Sequence, residues 1–334
     1  MAIALPWVEH SAAAAERGRA AGMLDAPPRP SVDRIGSWRL VSLVGEGSWT
    51  RVYRAAPARL SEGSPADYAV KVLRPELQHD PIAGRLLQRE ELVGRQVTHP
   101  HLAPVLSSRI DRKPYFIASP FLLGWTLREC LTGERAIEVK SEPVGGQGAS
   151  ESPQLRPLAV SSALWVARQV AEALDALHTA GWLHGDVKPS NIHVASSGHT
   201  TLLDLGFARR LGPHLDAHAV PWDSLLVGCT PAYAAPEIHQ SQPNTDPASD
   251  LYSLGVVLFE MLTGRWPYAH HDMRKLAAAH CHDPIPDPRQ WASHVPARVV
   301  RLLHSLLAKS PDERPLTAEL IDKLVDLEIA TFGE

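Results

Sequence analysis

Asp186, Lys188 and Asn191 fall within one six-residue stretch of the run His184-Gly185-Asp186-Val187-Lys188-Pro189-Ser190-Asn191, and Asp204-Leu205-Gly206 follows 13 residues after Asn191. Those residue types suit one kind of chemistry. The Asp186 carboxylate is able to take or orient a hydroxyl proton, and the Lys188 ammonium neutralises a transferring phosphoryl group. The amide oxygen of Asn191 and the Asp204 carboxylate are hard oxygen ligands for Mg²⁺. Residues 192–203 leave room for a β-hairpin that brings Asp204 back beside the loop. Upstream, Lys71 lies in the strand-like run Tyr68-Ala69-Val70-Lys71-Val72, where alternation places it on the same face as Ala69. Glu90, 19 residues on, and its neighbour Glu91 offer carboxylates able to hold Lys71 over a phosphate. Both acids also suit a solvated helix face. Glu90 is favoured because it lies nine residues before the His99-Pro100 turn.

The remaining feature of this kind is Gly45-Glu46-Gly47-Ser48-Trp49-Thr50-Arg51-Val52, between two strand-like runs. Glycines there serve either as plain turn residues or as a turn whose bare backbone N–H groups approach phosphate oxygens. A dinucleotide-binding turn should open a helix, and a Walker loop needs Gly-Lys-Ser/Thr; neither is present.

Short β-branched and aromatic runs from Trp38 to Val72 predict antiparallel strands, and residues 81–97 predict a helix with Leu86, Leu87 and Val93 facing inward. Residues 99–106 and 113–119 resume strand character. Residues 132–157, rich in Gly, Ser, Glu and Pro, predict a mobile insertion. Beyond it, Leu164, Ala167, Val170, Ala171, Leu174 and Leu177 form a helical stripe closed by Gly181, and the rest reads as mostly helical. Residues 1–37, rich in Ala, Arg and Pro, predict a flexible extension. The fold class expected is α+β: a small β-rich lobe with one helix over 38–121, then a larger mostly helical lobe over 122–330, with a ligand cleft between them.

Composition excludes several classes. With 33 Lys and Arg against 37 Asp and Glu, the net charge of -4 gives no footprint for nucleic-acid binding. The three cysteines, Cys130, Cys229 and Cys281, are scattered and suit a reducing, cytoplasmic compartment. Every long apolar run is interrupted before a membrane span is reached; residues 251–262 read as a buried helix. His270, His271, His280, Cys281 and His282 crowd together without a standard ligand spacing, so no metal other than Mg²⁺ is expected.

From Trp38 to Leu327 these elements resemble, in order, a eukaryotic-type (Hanks-type) serine/threonine protein kinase of the kind found in bacteria. The resemblance implies a two-lobed kinase fold and transfer of the γ-phosphoryl group of ATP, with Mg²⁺, to Ser/Thr hydroxyls of a protein substrate, autophosphorylation included. It implies that Gly45, Gly47 and Val52 roof the nucleotide, with Ala69 also lining it. Lys71 contacts the α/β-phosphates and Glu90 anchors Lys71. Asp186 is then the catalytic base, Lys188 assists at the γ-phosphate, and Asn191 and Asp204 hold the metal. Ser119 to Leu122 align with the hinge, where the Pro120 carbonyl and the Leu122 N–H meet adenine, with His193 beneath it. Tyr233 to Glu237 resemble the end of the peptide-substrate loop, with Glu237 bridged to Arg314, and Asp250 supports the catalytic loop.

Departures from the family pattern are Thr50 for a third loop glycine, Gly185 for an arginine that reads loop phosphorylation, His193 for an apolar residue, and Gly94 for a bulky one. Gly94 predicts a loosely positioned helix; Gly185 predicts control by means other than phosphorylation at Ser224 or Thr230. Two other readings compete. A small-molecule phosphotransferase shares the His-Gly-Asp loop but lacks the Tyr233–Glu237 features. A pseudokinase scaffold is opposed by the presence of Lys71, Asp186, Asn191 and Asp204.

Overall fold

The computed structural model describes residues 34–133, 155–212, 231–239 and 246–331. The insertion expected over 132–157 and the candidate acceptors Ser224 and Thr230 lie almost wholly outside them, as does Cys229.

The first part is a six-stranded antiparallel sheet: β1 (Arg34–Ile35), β2 (Trp38–Glu46), β3 (Thr50–Pro57), β4 (Tyr68–Leu73), β5 (Ser107–Arg109) and β6 (Phe116–Pro120), in the order β1-β2-β3-β4-β6-β5. The sheet begins at Arg34, ahead of the boundary expected at residue 38, because Ile35 buries its side chain and pairs with Trp38. Alternation along β4 sends Val70 and Val72 into a core with Trp38, Leu40, Tyr53 and Phe116, leaving Ala69 and Lys71 on the other face. Helix α1 (Pro81–Gln96) starts where Asp80 accepts from the Ile82 and Ala83 amides at 2.8 Å each, with Pro81 in its first turn. It packs Leu86, Leu87 and Val93 inward as the periodicity predicts.

Residues 99–106 are not a strand. Only Leu102 makes an isolated bridge, to Leu202, and regular pairing resumes at Ser107. Leu102 joins the helical region's core and Val105 packs beside Leu87 and Ile117, so packing and not a ladder holds this segment.

The second part is mostly helical. After β7 (Trp125–Thr126), a capping box between Thr126 and Glu129 opens α2 (Leu127–Thr132). The long α3 (Val160–Thr179) buries the predicted stripe, and Gly181, at φ +80°, turns the chain away. Then come β8 (Trp182–Leu183), the hairpin of β9 (Ile192–Val194) and β10 (Thr200–Leu202), and β11 (Arg209–Arg210), which pairs with β8. Helices α4 (Pro247–Thr263), α5 (Met273–His282), α6 (Ala297–Leu306) and α7 (Thr317–Thr331) complete it. Residues 251–262 are buried apart from Ser253, within α4. One continuous core joins these helices to the β9–β10 hairpin. Among the described residues, no helix is long and apolar enough to cross a membrane.

Candidate active site

The sheet and the helical region meet where the residues singled out by type converge. On β4, Lys71 extends its ammonium to both Glu90 carboxylate oxygens of α1 at 2.8 Å and to Asp204 Oδ1 at 3.2 Å. Glu90, not Glu91, is the partner: one helical step turns Glu91 away from Lys71, to bind Arg95 and accept from Ser108. Burial pulls the Lys71 ammonium toward neutrality, but the charges of Asp204 and Glu90 outweigh it and hold the pKa above its ordinary value. Burial pushes Glu90 up to about 7 against the opposing pull of Lys71. Asp204 stays below its usual range, because Lys71 and Lys188 together exceed the burial penalty.

Asp204 is the one non-glycine residue at positive φ among the described residues, φ +64°. Its side chain accepts from the Gly206 amide at 3.4 Å, and Gly206 sits with Leu86 O of α1 only 3.3 Å from where a Cβ would be. Sheet helix and acidic turn therefore touch backbone to backbone.

The loop at 184–191 is held from both sides. His184 is fully buried; its Nδ1 accepts from the Asp186 amide at 3.2 Å, so its Nε2 carries the proton donated to Leu203 O at 3.0 Å. From below, Asp250 of α4 accepts from the amides of His184 at 2.8 Å and Gly185 at 2.9 Å, and it pairs with His178 Nε2 at 2.9 Å. Asp186 Oδ2 receives Asn191 Nδ2 at 2.9 Å and Lys188 Nζ at 2.8 Å. Burial raises the Asp186 pKa, with Lys188 opposing. A donor set for a hard divalent cation is present: the Asn191 amide spends its NH₂ on Asp186, which turns its carbonyl oxygen free of that bond, and the Asp204 carboxylate lies across the hairpin.

The glycine turn closes the cleft from above. Gly45 pairs with Val52, and Val52 with Lys71, so the three lie in adjacent register. A Cβ on Gly45 would meet nothing within 4 Å, so the fold itself does not demand glycine there. At the edge of the cleft, Phe121 N donates to Asp67 O at 2.8 Å. Antiparallel alternation then makes Tyr68–Pro120 the unbonded pair, with the Pro120 carbonyl pointing away from β4. Leu122 N makes no hydrogen bond among the described residues. His193 on β9 is buried below this edge; burial lowers its pKa to about 4, so the ring is neutral. Its Cε1 lies 2.8 Å from where a Cβ on Gly124 would be, which with φ +144° explains that glycine.

Two departures have structural reasons. Gly185 has φ +77°, and a Cβ there would stand 2.7 Å from Phe207 O, so the backbone excludes a side chain. At Gly94 the expected looseness is not found: Val105 Cγ2 lies 2.6 Å from a hypothetical Cβ, filling the place a larger residue would take. Residues 99–106, misread as strand, supply that filler.

Sequence reasoning missed a second buried network. Arg128 Nη1 binds Glu260 Oε1 at 2.9 Å, Tyr233 OH donates to Glu260 Oε2 at 2.6 Å, and Trp266 Nε1 donates to Tyr233 OH at 3.0 Å. It ties the segment after the loop to α2 and α4. The available signal was Glu260 itself, a carboxylate inside the apolar run 254–262. The Glu237–Arg314 bridge is present as two bonds of 2.6 and 2.8 Å.

A family model described as "Protein kinase domain" matches residues 38–324. The serine/threonine-protein kinase PknD of Mycobacterium tuberculosis is 31% identical over 89% of this chain and 40% of its own length. The corresponding figures are 27%, 85% and 39% for PrkC of Bacillus subtilis, and 29%, 84% and 41% for PknB of Mycolicibacterium smegmatis. The chain thus spans about two fifths of these relatives. Sheet, cleft and matched residues agree, and the chain belongs to the protein kinase family.

Proposed function

We propose that this chain is an active serine/threonine protein kinase, transferring the γ-phosphoryl group of ATP with Mg²⁺ to a protein hydroxyl, on the cytoplasmic side where ATP and reducing conditions prevail. One observation carries the reading: the cleft holds two contact groups, Lys71 with Glu90 and Asp204, and Asp186 with Lys188 and Asn191, which together supply the cations, the base and the oxygen ligands that the reaction needs.

Asp186 acts as the base. Asn191 and Lys188 fix one carboxylate oxygen and burial raises its basicity, so the group is poised to accept the hydroxyl proton as the acceptor oxygen attacks. Lys188, beside it, neutralises negative charge on the phosphoryl group in flight. Lys71, fixed by Glu90 and Asp204, pairs with the nonreacting phosphates, under the roof of Gly45, Gly47 and Val52 with Ala69 alongside. Pro120 and Leu122 offer one acceptor and one donor to the base, above His193. Asn191 and Asp204 would hold Mg²⁺, which when bound neutralises phosphate charge.

Specificity for Ser/Thr follows Lys188 and the relatives' shared activity. Tyr233 and the Glu237–Arg314 bridge argue for a peptide acceptor over a small molecule. The test is label transfer from [γ-³²P]ATP to the protein itself and to generic protein acceptors, followed by phosphoamino-acid analysis. Phosphoserine or phosphothreonine is expected, with Asp186→Asn lowering transfer by about 10³-fold while Mg-ATP still binds. Equal turnover in that variant would remove Asp186 from the mechanism.

A further inference from the structure

Trp49 sits at the tip of the glycine turn, where a polar or small residue would serve the turn equally well. It is half-buried, and its indole belongs to two apolar clusters at once. One contains Leu73 of β4 with Ala83 and Leu87 of α1; the other contains Leu86 of α1 with Phe207, three residues past Asp204. With Lys71, Glu90 and Asp204 it also walls a small cavity beside the ion cluster. Its backbone is pinned as well: Trp49 O accepts from the Arg74 amide at 3.0 Å, and Gly47 N donates to Thr50 O at 2.9 Å.

We propose that Trp49 is a positioning residue that couples the glycine turn to α1, so that the turn in its closed place holds Glu90 against Lys71. This deepens the kinase reading and rests on it for its catalytic consequence. The physical argument is one of anchorage. Glu90 is carried by a helix that meets the sheet through Ala83 and Leu87, packed with Leu73 and Ile117, and meets the acidic turn through Leu86 and Phe207. Trp49 packs against both of these groups. The indole supplies the largest apolar surface between the turn, α1 and Phe207, and it is delivered by the one segment that must also cover a nucleotide. If the turn lifts, the indole leaves, α1 loses its clamp at Ala83 and Leu86, and the carboxylate one turn further along is freed. Covering the cleft and setting the Lys71–Glu90 pair thereby become one event.

The deciding experiment is hydrogen exchange on the nucleotide-free full chain, comparing the native protein with Trp49→Ala and Trp49→Phe. Trp49→Ala is expected to speed exchange in the amides of residues 84–92 by about 10-fold while leaving α3 and α4 unchanged, and Trp49→Phe to restore most of the protection. In kinetics, Trp49→Ala should lower kcat about 10-fold with the KM for protein acceptor unchanged, and the loss should largely vanish in a Glu90→Gln background. A residue that merely stabilises the sheet would speed exchange evenly across β2, β3, β4 and α1, and its effect on kcat would persist beside Glu90→Gln. Either result overturns the proposal, as does unchanged exchange in α1. Should Trp49→Ala fail to fold, Trp49→Leu carries the same comparison. Exchange needs no turnover, so failure of the kinase reading would leave this outcome separately visible.

Discussion

Two acid–base pairs of similar geometry lie in this molecule and are built to opposite ends. Glu237–Arg314 in the helical region is sealed: the side chains are 3% and 0% exposed, Ser249 donates to the carboxylate, and Arg314 donates further to the carbonyls of Ala248, Ala308 and Lys309. Those bonds overcome burial and hold Glu237 below its usual range. Lys71–Glu90 is left open at 17% and 15%, its cation shared with Asp204, and Glu90 is pushed up to about 7. A pair whose every donor and acceptor is used fastens backbone to backbone. A pair with one cation between two carboxylates, at the edge of a cleft, is arranged to meet further charge. The lesson is that satisfaction, more than burial, separates scaffold from chemistry.

The contrast breaks most forcefully at the bridge. Arg314→Ala leaves a buried carboxylate unpaired and is expected to cost about 3–5 kcal/mol, read as a lowered urea midpoint with unchanged slope. In the cleft, Lys71→Met should lower phosphoryl transfer by about 10²–10³-fold, some 3–4 kcal/mol of barrier, with little change in midpoint, whereas Glu91→Gln should do little. A damaging Glu91→Gln with a silent Glu90→Gln would reverse the helical register. Gly185→Arg is expected to destabilise by about 1–3 kcal/mol and to restore no activation by phosphate, because positive φ and Phe207 O exclude the side chain.

The last contrast concerns pH. Burial lowers His193 to about 4 and His280 to about 3, so both are neutral in the folded chain while the unfolded chain takes up protons below about pH 6.5. Unfolded binding exceeds folded binding in that window, so stability falls with falling pH, by at most about 1.4 kcal/mol per unit for each group, until the folded values are reached. His193→Leu should make the fall between pH 6 and 4.5 shallower by one proton in thermal or urea unfolding. An unchanged slope would place His193 outside a buried, neutral site.

The loop at 184–191 was legible because its residues are contiguous: spacing alone put Asp186, Lys188 and Asn191 on one loop, and the position of Glu90 before the His99-Pro100 turn gave the partner of Lys71. Strand alternation and the stripe from Leu164 to Leu177 likewise survived folding, since each depends on local periodicity. What stayed hidden depends on packing between distant segments. Val105 fills the space at Gly94 from 11 residues away, Glu260 finds Arg128 at a separation of 132 residues, and Trp49 reads as a turn residue until α1 is laid beside it. Apolar residues over 99–106 mimic a strand because core contact and ladder pairing select the same side chains.

If the open pair performs chemistry and the sealed pair maintains the fold, the transfer rate per folded molecule separates the two directly. Lys71→Met and Glu237→Gln are to be compared at saturating Mg-ATP and acceptor, with the folded fraction measured in the same samples. Lys71→Met is expected to remain folded and lose about 10²–10³-fold in rate, while Glu237→Gln loses folded protein but retains a near-native rate in the molecules that stay folded. A Lys71→Met protein that transfers phosphate at the native rate, or a fully folded Glu237→Gln protein that does not transfer it, would contradict the claim.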